Sequence, residues 1–323
     1  MRYRRFGRTG WKVSEIGYGM WGMGSWSGSN DDESLKALQH AVDLGCNFFD
    51  TAYAYGNGRS EGLLGRLVKA NPSKKLYTAT KVPPKNSQWP ALPENTLDES
   101  YPPDHIEEFL HKSLKNAGLE SFDLLQLHTW NDHWADDDSW SNKLADLKRQ
   151  GLISAFGISI NRWEPWNGVK AVRSEKTDSV QVIYNIFDQN PEDDLFPACR
   201  EMDVAVIARV PFDEGTLTGT LTKNTKFPDD DWRSHYFSAE NLNESVDRAE
   251  ALRPLIPDSS TMPELALRFI LSEPTVSTII PGMRKLRNVE SNVAASDAGL
   301  LSENLVKELR GHRWVRKPAP WSA

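Results

Sequence analysis

Four side chains of this sequence could together move a proton: Asp50, Tyr55, Lys81 and His128. An isolated tyrosine has a pKa of about 10 and is a poor proton donor near neutral pH. A buried ammonium group such as that of Lys81 would stabilise the phenolate and lower the pKa of Tyr55. A buried lysine tends to lose its own proton unless a counterion holds it charged, and Asp50 can be that counterion.

His128 adds a hydrogen-bond donor that can orient a carbonyl oxygen. The set can therefore give a proton to an oxygen, or take one, while another reactant attacks the adjacent carbon, and it contains no nucleophile of its own. Each residue alone has an ordinary structural explanation, since a carboxylate after a strand often caps a helix and a tyrosine in a glycine-rich loop usually packs. The conjunction of four matched positions favours the functional interpretation.

The intervals between these residues are 5, 26 and 47 positions, so only the tertiary fold can bring them together. Asp50, Lys81 and His128 stand where apolar runs typical of buried strands end. Eight such runs cover residues 15–20, 46–52, 76–82, 122–128, 153–159, 179–185, 204–210 and 276–282. Continuous apolar strands bounded by turn residues suit a parallel sheet covered on both faces.

Helical patterns separate these strands, for example at 31–45, 102–118, 262–272 and 286–296. The alternation predicts an α/β fold: a single (β/α)8 TIM barrel domain over residues 1–323, with an N-terminal β-hairpin and long loops at the C-terminal face. The long loops are expected at 83–102, 129–140 and 219–245. An open doubly wound sheet is the alternative, but "GMWGMGSWSGSN" after the first strand lacks its GxGxxG fingerprint.

The composition narrows the classes of protein. The 323 residues carry a formal net charge of −7, which disfavours a general nucleic-acid binder. Cys46 and Cys199 lie far apart in apolar surroundings and are expected to be buried thiols. The start "MRYRRFGRTG" lacks a secretory h-region and no apolar run is long enough to span a bilayer, so we expect a soluble cytoplasmic protein without membrane partners.

Three segments, "FFDTAYAYG", "TATKV" and "LLQLH", resemble the aldo-keto reductases in order and spacing. The likeness extends from "YRRFGRTGWKVSEIGYGMW" to "IIPGMRKLRNVESN", which is most of the chain. The resemblance implies a (β/α)8 barrel that reduces carbonyl groups with NADPH through an Asp–Tyr–Lys–His tetrad. Its members would be Asp50, Tyr55, Lys81 and His128.

The resemblance also implies contacts for the nicotinamide. A Ser–Asn pair would correspond to Ser159 and Asn161, with Ile160 inserted between them, and Gln181 would hold the carboxamide with them. Arg209, in "RVPF", stands where a tyrosine commonly stacks on the nicotinamide. A guanidinium plane can stack on an aromatic ring, but it would disfavour the cationic, oxidised nicotinamide and so bias the protein toward reduced cofactor.

Other parts of the cofactor would lie on the loop 210–219 and at the end of the last strand. Backbone amides of the loop would cross the pyrophosphate. Arg284 and Lys285 would hold the 2′-phosphate, which favours NADP over NAD, and Asn288 and Asn292 would touch the adenine side. The full set of cofactor positions is Gly19, Met20, Trp21, Asp50, Ser159, Asn161, Gln181, Arg209, Val210, Pro211, Phe212, Glu214, Gly215, Leu217, Gly282, Met283, Arg284, Lys285, Asn288 and Asn292.

Substrate contacts are expected from Trp21, Tyr55, His128 and Trp130, because tryptophans beside strand ends can line a desolvated pocket. No metal site is predicted, since His133 has no second histidine at ligand spacing.

The leading hypothesis is therefore an NADPH-dependent reductase of small aldehydes, ketones or sugars. Two alternatives remain open: a Schiff-base aldolase, which also places a lysine on a barrel strand, and a cofactor-bound regulatory subunit of the kind some family members form with membrane channels.

Overall fold

The computed structural model of the protein describes residues 1–24, 30–229 and 231–316. Two antiparallel strands, β1 (Tyr3–Phe6) and β2 (Trp11–Ser14), form the N-terminal hairpin. Apolar side chains of this hairpin, Phe6 and Val13, pack against Phe48 and other residues inside the barrel strands. The hairpin thereby closes the barrel at the end where its strands begin.

Eight parallel strands follow in chain order and pair in that same order. They are β3 (Tyr18–Gly19), β4 (Phe48–Asp50), β5 (Tyr77–Val82), β6 (Phe122–Leu127), β7 (Ile153–Ser159), β8 (Ser179–Ile183), β9 (Ala205–Arg209) and β10 (Val276–Ile279). Single bridges from Ile16 to Ile279 and from Gly19 to Gly282 join the first strand to the last. The sheet is therefore a nearly closed barrel, and sequential pairing gathers the carboxyl ends of its strands at one face.

Helices alternate with these strands and cover the outside of the barrel. They are α1 (Asp31–Asp43), α2 (Arg59–Ala70), α3 (Leu97–Ser100), α4 (Pro103–Ala117), α5 (Ser139–Arg149), α6 (Val169–Arg173), α7 (Leu195–Glu201), α8 (Arg233–Tyr236), α9 (Ala239–Leu252), α10 (Met262–Leu271), α11 (Leu286–Asp297) and α12 (Glu303–Arg310). Local signals set their ends: Asn30 caps the first turn of α1 by accepting two backbone N–H bonds, and Gly118 ends α4 in a left-handed conformation.

The predicted barrel and hairpin are confirmed, and each of the eight predicted strand segments contains a strand. Both cysteines are buried and free, as expected. Within the part of the chain that the structure describes, no helix combines the length and the apolar character needed to cross a membrane. Residues 25–29, 230 and 317–323 of the predicted segments lie outside the described residues, and the assignment of 1–323 to one domain stays a prediction.

Candidate active site

A cleft of about 640 Å³ opens at the carboxyl ends of the barrel strands, a size typical of small-molecule sites. Most of the positions predicted for cofactor and substrate line it. They are Gly19, Met20, Trp21, Asp50, Tyr55, Gln181, Arg209, Val210, Pro211, Phe212, Glu214, Gly215, Gly282, Met283, Arg284, Lys285 and Asn288. One end of the cleft carries Asp50 and Tyr55, with Lys81 and His128 next to them outside the lining, and the other end carries the basic residues that follow β10.

Asp50 and Lys81 form a buried ion pair at the base of the cleft. They come from the neighbouring strands β4 and β5, and the side chain of Lys81 is fully buried. Lys81 Nζ donates to Asp50 Oδ2 at 2.5 Å and to the carbonyl oxygen of Thr51 at 2.7 Å. Because the ammonium has both a carboxylate and a carbonyl acceptor, it is stabilised in its charged form despite its burial.

Tyr55 is held above this pair by a tight turn. Its N–H donates to the carbonyl of Ala52, and the N–H of Gly58 closes the turn by donating to Tyr53. Gly24 packs directly on the turn, where an added Cβ would lie 2.8 Å from the Tyr55 carbonyl carbon. This packing brings the phenol oxygen to 3.4 Å from Lys81 Nζ.

The phenol of Tyr55 has opposing electrostatic neighbours. Burial raises its pKa above the usual value of 10.0, while the Lys81 ammonium lowers it and the Asp50 carboxylate raises it again. The net direction is upward, which differs from the expected lowering, because protein atoms remove more solvation from the phenolate than one paired ammonium restores. Tyr55 is therefore protonated at neutral pH, and Lys81 makes its phenolate less unfavourable than it would be in the same site without a cation.

His128 completes the group, although sequence places it 47 residues after Lys81. Its ring meets the Tyr55 ring edge to face at 5.6 Å and the Trp89 ring at 4.6 Å. Burial, and then the charges of Lys81 and Arg209, hold the pKa of His128 well below its usual value. The imidazole is thus neutral at physiological pH and has one N–H to offer a carbonyl oxygen.

Two glutamines fix the other oxygen of Asp50. The side-chain amides of Gln126 and Gln181 each donate to Asp50 Oδ1 at 3.0 Å, and Gln181 also donates to the Gln126 oxygen at 3.1 Å. Gln126 was not among the predicted residues. The sequence did contain a signal for Gln126. It precedes His128 by two positions in a leucine-rich strand, so the two side chains share one face of the sheet.

Arg209, at the end of β9, is a cation with no ion-pair partner among the described residues. One terminal nitrogen donates to the Ile160 carbonyl at 3.0 Å, while its buried Nε has no hydrogen-bond partner in the described chain. Burial and the nearby Arg162 lower the pKa of Arg209 to about 10. Arg162, which sequence reasoning missed, lies in the same cleft and is paired with Glu214 at 2.8 Å.

Several predicted residues do not line the cleft. Ser159 and Asn161 are buried, and the Asn161 amide donates to the Ala91 carbonyl at 3.1 Å. The ring of Trp130 is fully buried against Trp134 and Trp140. Leu217 and Asn292 are also buried outside the lining. Their assigned contacts stay predictions that would need local rearrangement.

Other tryptophans lie at the cleft or beside the tetrad instead. Trp21, which is 41% exposed, meets Trp232 edge to face at 6.2 Å. Trp89, which is 39% exposed, contacts the His128 ring edge to face. These rings give the opening beside the tetrad an apolar, aromatic wall, which suits a substrate with an uncharged or aromatic body. Trp232 was not predicted, because it lies far along the third long loop.

The far end of the cleft has the donor set for a phosphorylated dinucleotide. Arg284, Lys285, Arg287 and Asn288 line it at the start of α11. Backbone also approaches closely there, since a Cβ on Gly19 would lie 2.5 Å from the Ile280 carbonyl oxygen. Cations at a helix N-terminus suit phosphate groups, and the amide of Gln181 at the other end suits a carboxamide. The residues present therefore fit NADPH.

Comparison with known proteins identifies the family of the chain. The model of the aldo/keto reductase family matches residues 15–313. The uncharacterised oxidoreductase YqkF of Bacillus subtilis (strain 168) is 30% identical over 97% of this chain and 96% of its own length. The aldo-keto reductase yakc [NADP(+)] of Schizosaccharomyces pombe is 29% identical over 92% of this chain and 88% of its own.

Two further similarities bear on cofactor and fold. The NADH-specific methylglyoxal reductase of Escherichia coli (strain K12) is 27% identical over 91% of this chain and 93% of its own length. Among solved structures, the glycerol dehydrogenase AKR11B4 from Gluconobacter oxydans has a TM-score of 0.80 and 26% identity, and the match covers 98% of each chain.

Proposed function

This chain belongs to the aldo/keto reductase family of oxidoreductases, and from that premise we propose that it reduces an aldehyde or ketone to an alcohol with NADPH, reversibly, with Tyr55 as proton donor. The observation that carries the proposal is the ammonium of Lys81, which contacts the Asp50 carboxylate and the Tyr55 hydroxyl at the base of one cleft. The same arrangement serves alcohol oxidation, because Tyr55 would then accept the proton.

The tetrad divides the proton transfer among its members. Tyr55, protonated at neutral pH, gives its proton to the carbonyl oxygen as negative charge develops there. Lys81 stabilises the phenolate left behind, and Asp50 keeps Lys81 charged. Neutral His128 donates an N–H to the same oxygen and aligns it toward Tyr55. The contact of Lys81 with Asp50 disfavours the aldolase alternative, because a charged, hydrogen-bonded amine is not a nucleophile.

The nicotinamide, when bound, supplies the hydride that makes the carbonyl carbon an alcohol carbon. On this chain Gln181 and Arg209 would hold the nicotinamide end, and the loop 210–219 would lie along the pyrophosphate. Arg284, Lys285 and Arg287 would hold the 2′-phosphate, which supports NADPH over NADH. Because one relative is by name NADH-specific, family membership alone does not decide the cofactor.

The substrate class follows from the mouth of the cleft. Trp21 and Trp232 line the cleft, and Trp89 packs on His128, so aromatic area lies beside the tetrad. We propose small aldehydes or ketones with an aromatic or aliphatic body, with sugars as the weaker substrates. An aromatic wall favours the former because it offers ring contact and few hydrogen bonds.

The decisive experiment replaces Tyr55 with phenylalanine. Turnover is followed by the loss of NADPH absorbance over aliphatic, aromatic and sugar aldehydes, and NADPH binding is measured separately by fluorescence. We expect Tyr55→Phe to reduce turnover by at least about 10³-fold, because the phenol oxygen is the proton source, with NADPH affinity nearly unchanged.

The matched control is Tyr53→Phe, since the Tyr53 ring packs edge to face on Phe109 and is not part of the cleft lining. Full activity of the Tyr55→Phe variant would refute the assigned role. A wild-type protein that binds NADPH and turns over no carbonyl in the panel would instead support a binding or regulatory role.

A further inference from the structure

Arg316, near the C-terminal limit of the described chain, is buried among loops of the catalytic face. Its guanidinium pairs with Asp188, which follows β8, and donates to Asp213 Oδ1 at 2.7 Å in the loop after β9. It also donates to the Tyr236 hydroxyl of α8 at 3.3 Å. One side chain thus links three separate segments at the carboxyl ends of the barrel strands.

The loop that Arg316 reaches has an unusual backbone. Three consecutive residues, Asp213, Glu214 and Gly215, have φ angles of 47°, 56° and 113°, and Val210 also has a positive φ of 55°. Non-glycine residues occupy this region only when the surroundings hold them there. Phe212, Glu214 and Gly215 line the cleft, so the conformation that needs support is the one facing the cofactor.

Two ion pairs supply that support. Arg162 pairs with Glu214 at 2.8 Å inside the cleft, whereas Arg316 pairs with Asp213 behind it. The side chains of Arg316 and Asp213 are only 2% and 3% exposed. Without Arg316, the carboxylates of Asp188 and Asp213 would be buried beside each other with no cation between them, which is strongly unfavourable.

Aromatic rings fix the position of the guanidinium. It lies over Trp314 with its central carbon 4.5 Å from the ring centroid, and over Trp163 at 5.0 Å. Such stacking pre-organises the planar group for paired hydrogen bonds to carboxylates. The terminal segment is therefore built to present Arg316 to the loop and does more than cover apolar surface.

We propose that Arg316 is a positioning residue for cofactor binding: the C-terminal segment holds the loop 210–219 in the conformation that receives the dinucleotide. The inference rests on the proposed function, because it takes the loop to be part of the cofactor site. Arg316 itself does not line the cleft, so it acts through Asp213 and leaves the tetrad unchanged.

The test compares Arg316→Met with Arg313→Met. Arg313 is a neighbouring arginine of the same segment whose partner, Asp193 at 2.8 Å, lies away from the loop. Hydrogen–deuterium exchange of the cofactor-free protein is read at residues 210–219, and NADPH affinity is read by fluorescence titration. For Arg316→Met we expect faster exchange in that segment and about tenfold weaker NADPH binding, and for Arg313→Met neither change.

Steady-state kinetics supply a further readout. The KM for NADPH should rise about as much as the dissociation constant, while kcat at saturating NADPH should not fall, because the tetrad is intact. If Arg316→Met does not fold, the same exchange and NADPH-affinity measurements are made on Asp213→Asn. It weakens only the link to the loop and keeps the pairing of Arg316 with Asp188, and a smaller change in the same direction is expected.

Wild-type exchange at 210–219 together with wild-type NADPH affinity in the folded variant would overturn the proposal. A fall in kcat with unchanged KM would also overturn it, since that pattern would place the effect on the tetrad. A wild-type protein that does not bind NADPH would contradict the proposed function. The exchange data would still test independently whether Arg316 holds the loop 210–219.

Discussion

Replacing Lys81 with methionine tests the central electrostatic argument. Methionine keeps much of the volume of the lysine stem and removes the ammonium that lies 3.4 Å from the Tyr55 hydroxyl. Without this charge, the phenolate formed during carbonyl reduction has no adjacent cation, so the pKa of Tyr55 should rise further above its already raised value. Reduction should therefore slow at saturating substrate, because the proton is harder to release.

The structure sets the size of this effect. At 3.4 Å, the attraction between ammonium and phenolate is about 5 kcal/mol at an effective dielectric constant of about 20 and about 1 kcal/mol in water. Tyr55 is partly exposed to the cleft, so the lower half of this range applies, about 1–3 kcal/mol. That free energy corresponds to a fall of about 5- to 150-fold in kcat.

Loss of stability must be separated from loss of chemistry. Lys81→Met leaves the buried Asp50 carboxylate without its cation, which can destabilise a protein by about 3–5 kcal/mol. The control is the double variant Lys81→Met/Asp50→Asn, which removes both charges. We expect thermal melts to recover in the double variant while kcat stays low, because the phenolate still lacks its cation.

The assay is single-turnover and steady-state reduction of one good aldehyde at saturating NADPH, with melting curves and NADPH titrations for each variant. A folded Lys81→Met variant, saturated with NADPH, that retains kcat within about threefold of the wild type would refute the role assigned to the ammonium. Recovery of the rate along with the stability in the double variant would refute it equally.

Three other expectations concern the cleft. In Arg209→Tyr, removal of a buried cation should raise the affinity for NADP⁺ relative to NADPH by about threefold or more. An unchanged affinity ratio in fluorescence titrations would refute the proposed bias of Arg209 toward reduced cofactor. In Arg284→Ala, NADPH affinity should fall about tenfold with little change for NADH, and equal losses would contradict a 2′-phosphate contact. Because burial raises the pKa of Tyr55 and holds that of His128 well below 6.5, Tyr55 stays protonated and His128 neutral between about pH 7 and 9. The kcat/KM for reduction should be flat there, and a steep change within this window would refute the assigned protonation states.

The barrel was predictable because it depends on patterns that are local in sequence. Each apolar run of six or seven residues contains a strand whose limits lie within three residues of the expected ones, since burial on both faces leaves few other conformations for such segments. The tetrad followed from the barrel, because parallel strands put their carboxyl ends at one face. Asp50 and Lys81 could be placed at the same site before any distance was known.

The features that sequence reasoning missed depend on side-chain direction and on long loops. Asn161 was assigned to the cofactor by its position after β7, but its amide is held by the Ala91 carbonyl, a contact between residues seventy positions apart. Trp130 follows the strand that carries His128, yet its ring turns into a cluster of tryptophans. Trp232 reaches the cleft from a loop whose course no periodic pattern describes.

The cleft also shows why its charges must be considered together. Of the acids that line it, Asp50 is paired with Lys81, Glu214 with Arg162 and Asp231 with Arg233. Among the described residues Arg209, at the tetrad end, has no ion-pair partner, and the other end of the cleft carries the basic residues at the start of α11. In the proposed function, a dinucleotide phosphate would suit the basic residues, whereas Arg209 would lie near the neutral or cationic nicotinamide. The charge of Arg209 thus bears on two features of the site: after burial and the charge of Lys81, it helps to hold the pKa of His128 low, and in the proposed function it would favour the uncharged, reduced nicotinamide over the oxidised form.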